Sequence, residues 1–172
     1  MIGIEKSKET IDALLNGASM MIEPIDSSDD FYRVQGDADG AIAAVFTNDT
    51  FWSKLKIGEG FFVQEEFTEV DANEIKARSQ IPNNEQHNYD WQNVSQMQEH
   101  QSRYKGVVVD VEVKRVQDLT VKTMRTFLGL SFHEADLHWE KFLEDFIDWF
   151  NSQFDVRYED NPYVFLYTVK RK

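Results

Sequence analysis

The chain has no cysteine among its 172 residues. This absence excludes disulfide bonds, thiolate metal sites and a thiol nucleophile. Long apolar runs are also missing, since no stretch approaches the roughly 20 residues that a membrane-spanning helix needs. The first residues lack the basic segment followed by an apolar one that is typical of a secretory signal. We therefore expect a cytoplasmic protein without a membrane partner.

Basic residues are scarce, with 18 Lys and Arg against 31 Asp and Glu and a net charge of −13. Such a balance repels phosphate backbones on average, and it either confers solubility or favours a basic protein partner. The basic residues are nevertheless concentrated in two segments. Residues 103–131 contain six basic and three acidic residues, and residues 161–172 contain three basic and no acidic ones.

The length and the 41% hydrophobic content predict one domain spanning residues 1–172. An amphipathic helix is predicted where Ser7 is an N-cap, Ile11, Leu14 and Leu15 recur at helical spacing, and Gly17 ends the helix. Two further helices are predicted at 119–128, capped by Thr120 or Asp118 and ended by Gly129, and at 131–150. Alternation and turn residues predict strands at 20–24, 31–34, 41–46, 60–67, 105–116 and 161–170.

Residues 72–104 are predicted to be a long irregular loop within the domain, with a helical turn or two at 73–79. A loop of this length in a compact domain is either a functional lid or simply mobile. The following strand is predicted to be half-buried, because four valines alternate with other residues and define an inner face. These valines are Val107, Val109, Val111 and Val113.

Glu65 is the one weak candidate for a catalytic group. In the predicted strand it points to the same side as Phe61 and Phe67. A carboxylate on an otherwise apolar face is paired, exposed at a rim or functional. The sequence leaves these three alternatives open.

No metal or cofactor is expected. The Gly36–Gly40 segment is a turn that is too short for a calcium loop. His133 and His138 are five residues apart, which places them about 140° apart around a helix, so they cannot share a zinc ion. No phosphate-binding loop, dinucleotide fingerprint or Ser-His-Asp arrangement is present.

Several motifs in order carry a family resemblance. They are GEGFFVQEEFTEV at 58–70, SRYKGVVVDVEVKRVQDLT at 102–120, FLEDFIDWFNSQF at 142–154 and NPYVFLYTVKR at 161–171. In this order the chain resembles the ASCH-like proteins of phages and prophages, in the PUA-like superfamily. The resemblance implies an α+β fold, a small mixed β-barrel with surrounding helices, and a cleft between the first helix and the barrel. It also implies recognition of RNA or a modified nucleotide.

The resemblance carries over at certain residues and fails at others. The matching residues are Gly17, Glu65, Phe67, Ser102, Arg103, Val116, Gln117, Asp118, Asn161 and Pro162. Ser19 stands where the family has a lysine, Ile22 where it has a threonine, and Gln64 where it has an arginine. Because this lysine and threonine work with a carboxylate in the family's amidohydrolases, that activity is not expected to have been retained.

Three functions follow as hypotheses. The first is a noncatalytic module that binds RNA, single-stranded DNA or a modified nucleotide in the cleft, where aromatic rings either stack a base or fill the core. The second is an acidic protein that binds a basic host protein and mimics nucleic acid. The third is a residual amidohydrolase or ribonuclease that uses Glu65. The predicted ligand-binding residues are Ser19, Glu65, Phe67, Trp91, Arg103, Tyr104 and Lys105.

Surface charge separates the first two hypotheses. A positive cleft would favour nucleic acid, whereas an unbroken negative surface would favour a protein partner. The cations expected to build a positive cleft are Arg103, Lys105, Lys122 and Arg125.

Overall fold

The computed structural model of the chain describes residues 1–71, 74–128 and 139–172. Within these ranges the fold is mixed α/β, with three α-helices and ten β-strands. The helices are α1 (Lys8–Leu15), α2 (Val121–Leu128) and α3 (Trp139–Gln153). The strands are β1 (Ile2–Glu5), β2 (Met20–Ile25), β3 (Phe31–Gly36), β4 (Ile42–Phe46), β5 (Thr50–Trp52), β6 (Gly60–Gln64), β7 (Phe67–Asp71), β8 (Glu74–Ala77), β9 (Lys105–Arg115) and β10 (Tyr163–Arg171). None of the described helices is long and apolar enough to cross a bilayer.

The strands form three sheets. A five-stranded sheet has the order β1-β6-β9-β10-β2, a three-stranded sheet the order β3-β4-β5, and β7 pairs with β8 alone. Strands β1 and β6 run parallel, and the other paired strands run antiparallel.

The predicted β-barrel is wrong, because no sheet of the described residues closes on itself. Strands β1 and β2 are the two edges of the five-stranded sheet, and no ladder joins them within the described ranges. Pro24 lies inside β2 and has no N–H to donate, so it suits an edge strand and works against further pairing. Strand β2 also continues to Ile25, one residue beyond the predicted end.

The core lies on both faces of the five-stranded sheet. On one face Phe165, Tyr167 and Val169 of β10 pack with α1 and the three-stranded sheet. On the other face Val164 and Leu166 pack against α2 and α3. Because β10 is buried on both sides, its sequence is an almost continuous apolar run.

The helix signals in the sequence are largely confirmed. Ser7 Oγ accepts a hydrogen bond from Thr10 N at the start of α1, and Gly17 follows its end with φ of +99°. Thr120 Oγ1 accepts from Thr123 N at the start of α2, so Thr120 rather than Asp118 is the cap. The apolar side of α3 is buried in the core through Phe142, Phe146 and Phe150. Residues 129–138, which include the predicted stop at Gly129, lie outside the described residues.

The predicted inner face of β9 is wrong at Val107 and Val109. Asp110 lies opposite Thr168, whereas Val108 lies opposite Val169, so Val109 is an extra residue in a β-bulge. Val109 is 51% exposed, while Val108 and Val111 are both buried. The bulge shifts the alternation, and the inner face therefore contains Val108 in place of Val107 and Val109.

The segment predicted as a long loop contains short regular elements. The helical turn or two predicted at 73–79 is wrong, because Glu74–Ala77 forms strand β8, which pairs with β7. A 3₁₀ turn at Arg78–Gln80 follows this strand. Three of the 3₁₀ turns in the segment are closed by a glutamine whose Oε1 accepts from the backbone N–H three residues earlier. These glutamines are Gln80, Gln96 and Gln101.

Candidate functional site

Glu65 forms a bidentate ion pair with Arg103. Strand β6 ends at Gln64, so Glu65 lies in the short connection to β7 and is only 7% exposed. Arg103 Nε donates to Glu65 Oε1 at 2.7 Å, and Arg103 Nη2 donates to Oε2 at 2.6 Å. Of the three alternatives for this carboxylate, the structure therefore shows the paired one.

Most of the aromatic residues predicted to stack a base are in the core. Phe67 and Tyr104 are fully buried, and the Tyr104 ring lies 6.0 Å from that of Phe61. Trp91 is half-buried; its Nε1 donates to the backbone oxygen of Gln86 at 2.8 Å, and the guanidinium of Arg78 lies 5.7 Å from the ring centroid. Of these three predicted aromatics, Trp91 has the most accessible ring.

Ser19 and Lys105 contact residues other than Glu65 and Arg103. Ser19 is exposed beside the start of β2, where its carbonyl oxygen accepts from Val169 N at 2.8 Å. Strands β10 and β9 separate β2 from β6, which leads to Glu65. Lys105 Nζ lies 3.7 Å from Glu99 Oε1. The seven predicted residues therefore do not form a single site. Two of them, Trp91 and Phe67, lie close together, because the backbone N–H of Gln92 donates to the backbone oxygen of Phe67 at 2.8 Å.

The predicted cationic residues provide little free positive charge. Arg103 and Lys105 are paired with carboxylates, and Arg125 of α2 is buried. Lys122 is the exposed member of this set. Three of the four cations are thus paired or buried, which leaves them poorly placed to bind a phosphate backbone.

A cleft of about 400 Å³ lies beside α1. Its walls are the β1–α1 junction, the end of β6 and the segment from Arg78 to Val94. Cations and carboxylates both line it, namely Lys6, Lys8, Arg78, Glu5, Glu65 and Glu66. Two of these carboxylates are already paired, Glu65 with Arg103 and Glu66 with Arg78 at 2.7 Å.

A second group of polar residues, here named the Lys6 cluster, consists of Lys6, Glu23, Lys54 and Tyr167. Tyr167 Oη donates to Glu23 Oε2 at 3.0 Å and accepts from Lys54 N at 3.1 Å. Lys54 Nζ lies 2.5 Å from Glu23 Oε1. Lys6 follows β1 and borders the same cavity as the other three residues. The cluster thus combines two amines, a carboxylate and a phenol.

The surroundings shift two pKa values in the Lys6 cluster. Burial raises the pKa of Tyr167 well above its ordinary 10, and the neighbouring charge of Glu23 raises it further. Removal of water lowers the pKa of the Lys6 amine below 10.5. The charge of Glu23 opposes this decrease, and the charge of Lys54 adds to it. The Lys6 amine is therefore more often neutral than a surface lysine.

Sequence reasoning missed the Lys6 cluster because its members come from four separate parts of the chain. Glu23 and Tyr167 are 144 positions apart. A weak signal was present, since Glu23 and Tyr167 are each a polar residue within a largely apolar strand. Pairing of β2 with β10 brings the two strands side by side.

The described residues contain no group of three or more His, Asp or Glu side chains that could hold a metal ion. The His133–His138 segment lies outside them. Comparison with protein-family models, with curated proteins and with solved structures found no match to this chain.

Proposed function

We propose that this chain is a binding protein that engages a basic protein partner through its three-stranded sheet. One observation carries the proposal: exposed aromatic side chains lie within or next to a strongly acidic segment. Residues 26–50 contain six aspartates and a single basic residue, Arg33. Within or beside this segment Tyr32 is 74% exposed and Trp52 is 46% exposed.

Both aromatic residues lie in strands of the three-stranded sheet. Trp52 lies opposite Ala43, which in turn lies opposite Gln35, so the three side chains share one face of the three-stranded sheet. Tyr32 lies at the register shift of β3, where the Arg33 guanidinium is 5.7 Å from its ring centroid. Rigid aromatic side chains are enriched among the residues that contribute most to protein interfaces.

The acidic groups beside this face are also held in place. Asp37 Oδ1 accepts from Asp39 N at 2.9 Å and from Ala41 N at 2.8 Å, which fixes the turn between β3 and β4. Asn48, in the turn between β4 and β5, donates to Asp29 Oδ1 at 3.1 Å. Acidic groups around exposed aromatic residues complement a positively charged partner. Because these acidic groups are already held by hydrogen bonds, they lose little conformational entropy on binding.

Two further observations support a protein partner over nucleic acid. The net charge of −13 opposes binding to phosphate backbones, and Arg103 and Lys105 are engaged by Glu65 and Glu99. The relationship to ASCH-like proteins of phages and prophages remains part of the proposal. In that setting the partner is a basic protein of the host.

Affinity capture with a matched pair of variants tests the proposal. Wild type, Trp52→Ser and Val109→Ser are immobilised, and proteins retained from host lysate are purified and titrated against each. Val109 is the control because it is similarly exposed but lies in the β9 bulge. We expect a basic partner whose affinity falls at least tenfold for Trp52→Ser, roughly 1.4 kcal/mol, and stays unchanged for Val109→Ser.

Salt dependence provides a second readout for the same partner. Association should slow as ionic strength rises, because the acidic rim steers encounter with a positive surface. Equal retention by wild type and Trp52→Ser, or a partner without net positive charge, would show that this face is not the binding surface.

A second candidate is binding of a nucleotide in the cleft beside α1. The cleft has the volume of a small-molecule site, and Lys8 lies exposed at its wall without an ion pair among the described residues. Trp91 lies close to the cleft, because its ring packs against the guanidinium of Arg78, and the Arg78 side chain lines the cleft. A phosphate could contact Lys8 while the base contacts Trp91.

Calorimetric titration with nucleoside monophosphates, short RNA and single-stranded DNA at low salt tests this candidate. Lys8→Gln and Trp91→Leu should each weaken saturable binding several-fold, whereas Lys170→Gln, at an exposed position in β10, should not. Absence of saturable binding, or equal effects of Lys8→Gln and Lys170→Gln, would refute it.

A further inference from the structure

The two edges of the five-stranded sheet border a common cavity. It has a volume of about 280 Å³ and is lined by β1 residues, by Glu23 of β2 and by Tyr167 of β10, with Lys54 and Leu55 from the segment after β5. Since β1 and β2 are not hydrogen-bonded to each other, the gap between these edges stays open as a cavity.

The cavity has an apolar part and a polar part. Ile2, Ile4 and Leu55 supply apolar lining, which suits a short alkyl chain. Lys6, Glu23, Lys54 and Tyr167 supply the polar lining. Lys6 also borders the 400 Å³ cleft beside α1 and a cleft of about 350 Å³ near Pro24 and Phe154, so its amine can be reached from outside.

We propose that Lys6 Nζ is a reactive amine that binds a small aliphatic aldehyde covalently, as an imine, in the cavity between the edges of the five-stranded sheet. The inference goes beyond the proposed function and does not rest on it. It concerns residues that take no part in the aromatic and acidic face.

The contacts of the cluster leave the Lys6 amine free. Glu23 is engaged by Lys54 Nζ at 2.5 Å and by the Tyr167 hydroxyl at 3.0 Å. Lys6 forms no hydrogen bond or ion pair with any described residue within the usual distance limits. Burial and the charge of Lys54 lower its pKa, and Glu23 offsets this only in part. A neutral amine with an available lone pair is the nucleophilic form of lysine.

The reaction is balanced without any further reagent. The Lys6 lone pair attacks the aldehyde carbon, and the carbonyl oxygen takes up a proton to give a carbinolamine. The two hydrogens of the neutral amine leave with this oxygen as one water molecule, and a carbon–nitrogen double bond remains. When the imine is protonated, the Glu23 carboxylate is the neighbouring counter-charge.

Reductive trapping tests the proposal. The protein is treated at pH 7 with a low concentration of butanal and sodium cyanoborohydride, and butylation of each lysine is followed over time by peptide mass spectrometry. Lys8 is the matched control because it is exposed and only two positions away. Butylation of Lys6 should be several-fold faster than that of Lys8, because a lowered pKa increases the fraction of neutral amine at pH 7. Unfolding with urea should abolish the difference.

A charge variant distinguishes a tuned amine from mere accessibility. In Lys54→Gln the Glu23 carboxylate loses its closest cation and acts more strongly on Lys6, so butylation of Lys6 should slow several-fold. Lys56→Gln, which removes a surface lysine 3.9 Å from Asp39, should leave the rate unchanged. Should Lys54→Gln not fold, the wild-type pH profile replaces it, and the Lys6 rate should level off below pH 10.5, the ordinary pKa of a lysine. Folded protein in which Lys6 reacts no faster than Lys8, or Lys54→Gln in which Lys6 reacts as fast as in wild type, would overturn the proposal.

Discussion

Tyr167 of β10 donates its hydroxyl hydrogen to Glu23 of β2 at 3.0 Å, and the same hydroxyl accepts the backbone N–H of Lys54 at 3.1 Å. One phenol therefore links a central strand, an edge strand and the segment that follows the three-stranded sheet. The ring of Tyr167 is buried in the core, while its hydroxyl borders the cavity of the Lys6 cluster. Tyr167 therefore belongs both to the hydrophobic core and to the Lys6 cluster.

Substitution of Tyr167 by Phe should destabilise the protein by about 1–2 kcal/mol at pH 7, because Glu23 and the Lys54 N–H both lose a hydrogen-bond partner. Urea unfolding measures the change. Tyr163→Phe is the matched control in the same strand, since its hydroxyl makes no hydrogen bond with any described residue. Equal losses in the two variants would mean that the Tyr167 hydroxyl contributes nothing to stability.

Alkaline pH should weaken the fold, and Tyr167 should account for part of the effect. Its pKa in the folded protein is raised, whereas in the unfolded chain it is about 10. Above pH 10 the unfolded state loses this proton first, so the free energy of unfolding falls as pH rises. The fall should be shallower for Tyr167→Phe. Parallel pH profiles for both proteins would contradict the raised pKa.

Replacement of Lys6 by Met should raise the free energy of unfolding at pH 7, because the folded state no longer holds a poorly solvated ammonium group. The gain should shrink as pH rises towards 10.5, because the unfolded chain then also loses the Lys6 proton and folding no longer requires a charged amine to be buried or neutralised. Thermal unfolding between pH 7 and pH 10 measures this. A less stable Lys6→Met variant at pH 7 would indicate that the charged amine stabilises the fold.

Truncation of Arg103 to Ala should cost about 3 kcal/mol, because the buried Glu65 carboxylate loses a bidentate partner. Lys114→Ala is the control: it breaks a 2.6 Å pair with Glu112 in which both side chains are 43% exposed. That variant should lose no more than about 1 kcal/mol. Similar losses for the two pairs in urea unfolding would argue against a structural role for the Glu65–Arg103 pair.

Threonine at Val109 and at Val111 should have unequal effects, although regular alternation would put both on one face. Val109 lies exposed in the bulge, so Val109→Thr should change stability by no more than about 0.5 kcal/mol. Val111 is buried, and Val111→Thr should cost about 1–2 kcal/mol. Equal costs would mean that the bulge does not form.

Local signals in the sequence predicted the elements that depend on neighbouring residues. Ser7 and Gly17 marked the ends of α1, and the valine-rich segment became β9. Which residues of β9 face the core could not be predicted, because the extra residue at Val109 is defined by the pairing of β9 with β10. The state of Glu65 was also open, since its partner lies 38 positions away.

By itself the sequence determined the acidic charge, the absence of thiol chemistry, the position of α1 and the approximate positions of β2, β3, β4, β6, β9 and β10, because these depend on composition or on contacts a few residues apart. Only the tertiary structure decided that the five-stranded sheet stays open and that Lys6, Glu23, Lys54 and Tyr167 line one cavity. Strand order and side-chain burial depend on pairing between distant segments. A local pattern therefore predicts which residues form a strand but not which residues face each other across the fold.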